Sequence, residues 1–191
     1  MVGNLSNFTK TDVLRCLLKI SNPISRSSLS KILELGEGTI RDILDILKKN
    51  GLLGSNKQGH YLSKKGANLV KKIMDRISMK KISSPNIFPD KKKAALHIKD
   101  SNRISKSYVL RDEAVKNGAD GALILCYGKM LKLLDSDYKQ DFSEIETQFD
   151  LGKNDIVIVA YANSYKLAEH GALAAAISLD SSLKKVTSLI K

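Results

Sequence analysis

The chain has 191 residues, is 42% hydrophobic, and carries 32 Lys and Arg against 20 Asp and Glu, for a net charge of +12. That hydrophobic share can fill a core, which excludes global disorder. No apolar run reaches the roughly 18 residues of a membrane span, no signal-like stretch opens the chain, and two cysteines cannot build a disulfide framework, so a cytoplasmic protein with no membrane attachment is expected.

The first helix is predicted over about 10–20. Thr9 or Thr11 can cap it, and Val13, Leu14, Leu17, Leu18 and Ile20 form its apolar stripe before Asn22-Pro23 ends it. Ser25 can cap a second helix whose buried face is Leu29, Ile32 and Leu33. The short turn Leu35-Gly36-Glu37-Gly38 leads to a third helix over about 39–49, with Ile40, Ile43, Leu44 and Leu47 buried and Asn50-Gly51 as its stop. Residues 52–55 and 60–63 flank the turn 56–59 and predict a hairpin. A last helix then runs from Ser63 or Lys64 to about Met79, with Ala67, Val70, Ile73, Met74 and Ile77 on one face. Three short helices, a two-stranded wing and a linking helix make a winged helix-turn-helix, the brief turn forcing the second and third helices to cross.

The segment 80–90, with Pro85 and Pro89 among Ser and Asn, should break regular structure, and the domain boundary is placed there: residues 1–85, then 86–191. The first part holds 16 basic and 6 acidic side chains, the second 16 and 14. That is the footprint of a polyanion-binding module joined to a near-neutral one, the alternative being a lysine-rich surface kept for solubility. Beyond the boundary the expected order is strand 94–98, helix 108–117, strand 121–127, strand 129–134, an acidic connection, strand 155–162 and helix 163–179. Residues 184–190 could be a last strand or a helix end. Gly128-Lys129 suits a two-residue type II′ turn. The fold class is α+β: a winged helix-turn-helix domain followed by a small α+β sandwich, with a split βαβ arrangement as the first guess. The runs 122–127 and 156–161 are apolar at every position, which predicts strands covered on both faces. The helix over 165–179 is apolar nearly all round. A second copy of the chain, a homodimer, would supply the missing cover.

Three stretches in order carry a family resemblance. Residues 25–44 read S-R-S-S-L-S-K-I-L-E-L-G-E-G-T-I-R-D-I-L, followed by K-K-N-G-L-L at 48–53 and L-S-K-K-G at 62–66. They resemble the core of prokaryotic winged-helix regulators over about residues 10–80. With G-A-D-G-A-L-I-L from Gly118 and D-I-V-I-V-A-Y-A from Asp155, the whole layout looks like an archaeal family of winged-helix proteins with an uncharacterised second domain.

In such a fold the third helix enters the major groove of double-stranded DNA. Thr39, Arg41, Asp42 and Asp45 lie opposite its apolar stripe. Arg41 is the candidate base reader, since a guanidinium fork can engage guanine O6 and N7 together. Thr39 suits a phosphate or a thymine methyl. Asp42 and Asp45 count against very tight binding, and a ladder from Asp45 to Lys48 or Lys49 is the simpler reading of the latter. Arg26, Ser27, Ser28 and Lys31 on the second helix, with Lys57 and Gln58 at the wing tip, are the expected phosphate contacts. His60 either touches DNA or is an ordinary exposed strand residue.

No catalytic constellation is present in the sequence: His60, His97 and His170 lie far apart, there is no CxxC, no GxxxxGK[ST] and no GxGxxG, and no cofactor is expected. Cys16 and Cys126 read as core thiols. Asp135, Asp137, Asp141, Glu144, Glu146 and Asp150 form either a solvated connection or, with less reason, a cation site. At the last strand-to-helix junction Asn163 and Ser164 either cap the helix or, with Lys166, hold a small anionic effector. The expectation is a DNA-binding transcriptional regulator with a dimerising or ligand-sensing second domain. A winged-helix protein-interaction adaptor without DNA binding is the alternative, and an enzyme fused to a DNA-binding domain is disfavoured by the missing motifs.

Overall fold

Thr9 starts the first helix through a reciprocal cap: its hydroxyl accepts the Asp12 N–H at 3.2 Å, and the Asp12 carboxylate accepts the Thr9 N–H at 3.0 Å. The computed structural model describes residues 8–101, 106–137 and 139–189. They form two units, Met1–Ile73 with Lys185–Lys191, and Met74–Lys184.

In the first unit α1 (Lys10–Lys19), α2 (Arg26–Leu33) and α3 (Glu37–Lys49) pack around Leu17, Leu29, Leu33, Ile40, Ile43 and Leu47. Ser25 caps α2 by accepting the Ser28 N–H at 3.1 Å. Glu34, in the left-handed region at φ 56°, turns the chain from α2 toward α3. Past the end of α3, Gly51 at φ 69° donates to the Lys48 carbonyl and Leu52 to that of Leu47, a Schellman closure. The strands β1 (Leu53–Asn56) and β2 (Gly59–Leu62) then form a hairpin about Lys57 and Gln58. Its outer edge near the turn is held by Ile24, whose N–H and carbonyl both pair with His60 at 2.9 Å. Gly59, at φ 130°, is required there, because a Cβ would lie 2.5 Å from the Ile24 oxygen. α4 (Lys64–Met74) closes the unit.

Two expectations about these helices need correction. Ile32 is 44% exposed rather than buried: α2 is only two turns long and the core touches the line through Leu29 and Leu33. α4 stops at Met74, with Ala67 and Met74 exposed and Ile73 its one buried apolar side chain. Residues beyond it form β3 (Ile77–Ile82), an edge strand of the second unit. The boundary therefore falls at Ile73/Met74, and the proline-containing segment near residue 85 is the loop between two strands of one sheet.

That sheet is five-stranded and antiparallel throughout, in the order β3, β4 (Lys92–Ile98), β7 (Ile156–Ala162), β5 (Gly121–Tyr127), β6 (Leu131–Leu133). β7 lies between β4 and β5, which run parallel and are joined through α5 (Ser107–Lys116), so the βαβ unit is split by the last strand. Three residues, 128–130, connect β5 to β6, and Gly128 is not in the positive-φ region, so the two-residue type II′ turn is not formed. α7 (Tyr165–Leu179) packs on β4 and β7 beside α5, with Ala168, Ala172, Ala175 and Ala176 fully buried.

The opposite face of the sheet has its own cover. Phe142, Ile145, Phe149 and Leu151, from the acidic connection and its one-turn α6 (Ser143–Glu146), pack on Ala95, Leu125, Val157 and Val159. The cover for which a second copy was expected is thus supplied within the chain. Several carboxylates of this segment accept backbone N–H groups: Asp135 that of Ser107 at 2.8 Å, Asp141 that of Ser143 at 2.9 Å, and Glu146 that of Leu131. Among the described residues no three ligating side chains gather as a metal site. The chain's last helix is α8 (Ser181–Leu189).

Candidate nucleic-acid interface

The buried stripe of α3 fixes what its other side can present. With Ile40, Ile43, Leu44 and Leu47 at 2% exposure or less, Arg41, Asp42 and Asp45 must point away from the core, and all three are exposed. Arg41 reaches no further than its neighbour Asp42, 3.6 Å away with both side chains more than half exposed, so its guanidinium can be recruited at little cost. Thr39 is half-buried at the first turn. The ladder expected from Asp45 does not form: among the described residues neither Lys48 nor Lys49 pairs with it.

On α2, Ser27, Ser28 and Lys31 are exposed, but Ser28 is already engaged with the Ser25 cap. Arg26 is committed as well. Its Nε and Nη2 both lie 3.2 Å from Glu37 Oε2, a clasp between the first turns of α2 and α3. At the hairpin turn Lys57 and Gln58 are exposed, and the Gln58 N–H donates to Asn56 Oδ1 at 2.9 Å, which stiffens the turn. His60 is not an exposed strand residue. It is half-buried, and burial, reinforced by the Lys48 cation, pushes its pKa below the ordinary histidine value. A neutral imidazole beside α3 adds no positive charge to the interface.

One arginine of the basic first part is withdrawn altogether. Arg15 is 1% exposed and joins Asp12 at 3.5 Å and the Leu33 carbonyl at 3.4 Å, tying α1 to the end of α2. Sequence periodicity does not place it: Arg15 lies off the stripe of Val13, Leu14 and Leu17, and its burial follows from a helix covered all round from Thr11 to Leu17.

At the other candidate site, Ser164 caps α7 by accepting the Leu167 N–H at 3.3 Å, while Asn163 Oδ1 accepts Lys91 Nζ at 2.7 Å. Lys91 also pairs with Asp120 at 2.7 Å, and Lys166 is half-buried. The geometry thus engages both polar side chains in local bonds. Sequence reasoning missed a buried pair elsewhere in the sheet. His97 Nε2 lies 2.6 Å from Asp155 Oδ2, both nearly inaccessible, and Asp155 also accepts the N–H groups of Asp100 and Gly152 at 2.9 and 2.8 Å. The two residues are 58 positions apart, and only the pairing of β4 with β7 brings them together.

Comparison with known proteins finds two matched segments separated by residues 69–88. Residues 9–68 match a family described as the PH0730-like N-terminal domain, and residues 89–179 match a domain of unknown function, DUF4443. Among solved structures the chain is similar to the hypothetical protein PH0730 from the archaeon Pyrococcus horikoshii OT3, at 27% identity and a TM-score of 0.78 over 94% of this chain and 99% of that one. No curated protein matches the sequence.

Proposed function

We propose that the chain is a cytoplasmic DNA-binding transcriptional regulator whose first unit is a winged helix-turn-helix, with α3 in the major groove and the β1–β2 hairpin as the wing. The observation that carries this is the one-sided burial of α3, which leaves Arg41 exposed, with Lys31 on α2 and Lys57 on the hairpin turn exposed as well. Base reading falls to Arg41. Lys31, Ser27 and Lys57 serve the phosphates, and Arg26 joins them on leaving Glu37. Selection of bound fragments from random duplexes tests the reading: enrichment of a defined sequence by the full chain, lost in Arg41→Ala, supports it, and absence of any enriched sequence refutes it.

A protein-interaction adaptor is favoured by a separate observation, the 44% exposure of Ile32 next to Lys31 on α2, since an apolar side chain there suits a protein partner better than a phosphate. Ile32→Glu separates the two, because it disrupts an apolar protein contact strongly and adds only one repulsive charge toward DNA. For a homodimer, the exposed Val109, Val115 and Leu167 of α5 and α7 offer apolar surface. For Ser164 the bond from the Leu167 N–H supports a capping role, and the Lys91 ammonium occupies Asn163, which favours local roles over an effector site.

A further inference from the structure

The register of β3 on β4 decides which lysines meet. Lys81 stands opposite Ala94, and Lys92 opposite Ala162. Ala94 and Ala162 pack with Ala168 of α7, so Lys81 and Lys92 rise from the helix-covered face of the sheet. The helix begins at Tyr165, and both ammonium groups converge on that ring, at 4.6 Å for Lys81 and 5.6 Å for Lys92 from its centroid. Nearby lysines are engaged: Lys91 by Asp120 and Asn163, and Lys93, which is buried, by the carbonyls of Phe88 and Lys91 at 3.0 Å. Lys81 and Lys92 are exposed, and among the described residues no carboxylate pairs with either. Two cations drawn to one ring repel each other, and an anion between or beside them relieves that repulsion. Burial, then the Lys92 charge, push the Lys93 pKa below its usual value, with Asp90 acting against them.

The shape of the surface selects the class of anion. A small ligand is normally held in a concave cavity. Three cavities lie elsewhere, one beside Leu52 and Leu69, one beside Cys126 and Met130, one beside Tyr108 and Arg111, and none of them is lined by Lys81, Lys92 or Tyr165. Exposed lysines at the end of a sheet suit a chain of phosphates instead. We propose that Lys81 and Lys92, steadied by Tyr165, contact the phosphate backbone of nucleic acid, a second electrostatic contact made by the second unit in addition to that of the first. The proposal rests on the DNA-binding reading above and adds a residue set outside the winged helix.

The test is the salt dependence of duplex binding by the full chain, followed by fluorescence anisotropy. K81A/K92A is expected to lower the slope of log Kd against log salt by about 1–2, since each phosphate contact contributes roughly 0.9. K81R/K92R should restore the wild-type slope. K129A/K132A, which removes the same charge from the exposed β5–β6 region, should leave it unchanged. An unaltered slope in K81A/K92A, or an equal fall in K129A/K132A, overturns this proposal while leaving the first-unit reading standing. A wild-type chain that binds no duplex overturns both.

Discussion

Arg41 and Arg15 are the same residue type in the same basic region, and their environments give them opposite roles. Arg41 is 64% exposed at its side chain and free to turn toward a base, whereas Arg15 at 1% is a structural tie. Arg41→Ala should cost about 1–3 kcal/mol at the preferred sequence and relax the preference. Lys57→Ala should weaken all sequences alike, and competition binding against random duplex distinguishes the two. Asp155 makes a second residue-level prediction. Burial works against its charge, but the N–H groups of Asp100 and Gly152 and the His97 ring outweigh it and hold its pKa below the usual carboxylate value. A carboxyl whose folded pKa lies below its unfolded one contributes stability that is present above about pH 4 and is lost as pH falls through the folded pKa. Asp155→Asn should therefore destabilise by about 1–3 kcal/mol at pH 7, with the gap to wild type narrowing in acid. Denaturant titrations at neutral and acid pH measure it.

The elements that were legible in the sequence are those whose signal is local. Caps at Thr9 and Ser25, the Asn50-Gly51 stop and the apolar stripe of α3 each sit within a few residues of what they determine. β3 was not legible. Ile77 continues the apolar spacing of α4, and what makes 77–82 a strand is its pairing with β4, a partner set by tertiary structure. The cover over the second sheet face was hidden for the same reason. Phe142, Ile145 and Phe149 lie in an acidic stretch with no strand period, and their burial shows only once β5 and β7 are in place. The candidate DNA contacts follow from the fold pattern, but the Arg26–Glu37 clasp and the half-burial of His60 depend on how α2, α3 and the hairpin approach one another. α7 carries an element-level prediction. Ala172 is fully buried where α7 meets its neighbours, so Ala172→Glu places an unpaired charge in the core, at a cost on the order of 3–5 kcal/mol. Amide exchange in β4 and β7 should accelerate together, while α3 keeps its protection. Unchanged exchange in the sheet would show that α7 does not help hold it.

For the molecule as a whole, the net charge of +12 overstates what the first unit can bring to DNA. Arg15 is buried, Lys65 donates to the Asn50 carbonyl at 2.9 Å, and the cations of the candidate interface come down to Arg26, Lys31, Arg41 and Lys57. Arg41, reading a base, contributes less to counterion release than a lysine laid on a phosphate. At roughly 0.9 per phosphate contact, one first unit should give a salt slope of about 3–4, and the sheet-end lysines should add about 1–2. Two chains on one operator double these values. The slope therefore reports how many chains engage the duplex, provided the solution mass of the free and bound protein is measured alongside by light scattering. The regulator reading with a homodimer expects a two-chain mass and a slope near the doubled value, with affinity falling steeply between 50 and 200 mM salt. A one-chain mass in the complex together with a slope of about 4–6 would show a monomeric binder. In that case the exposed Val109, Val115 and Leu167 would not be a dimer surface.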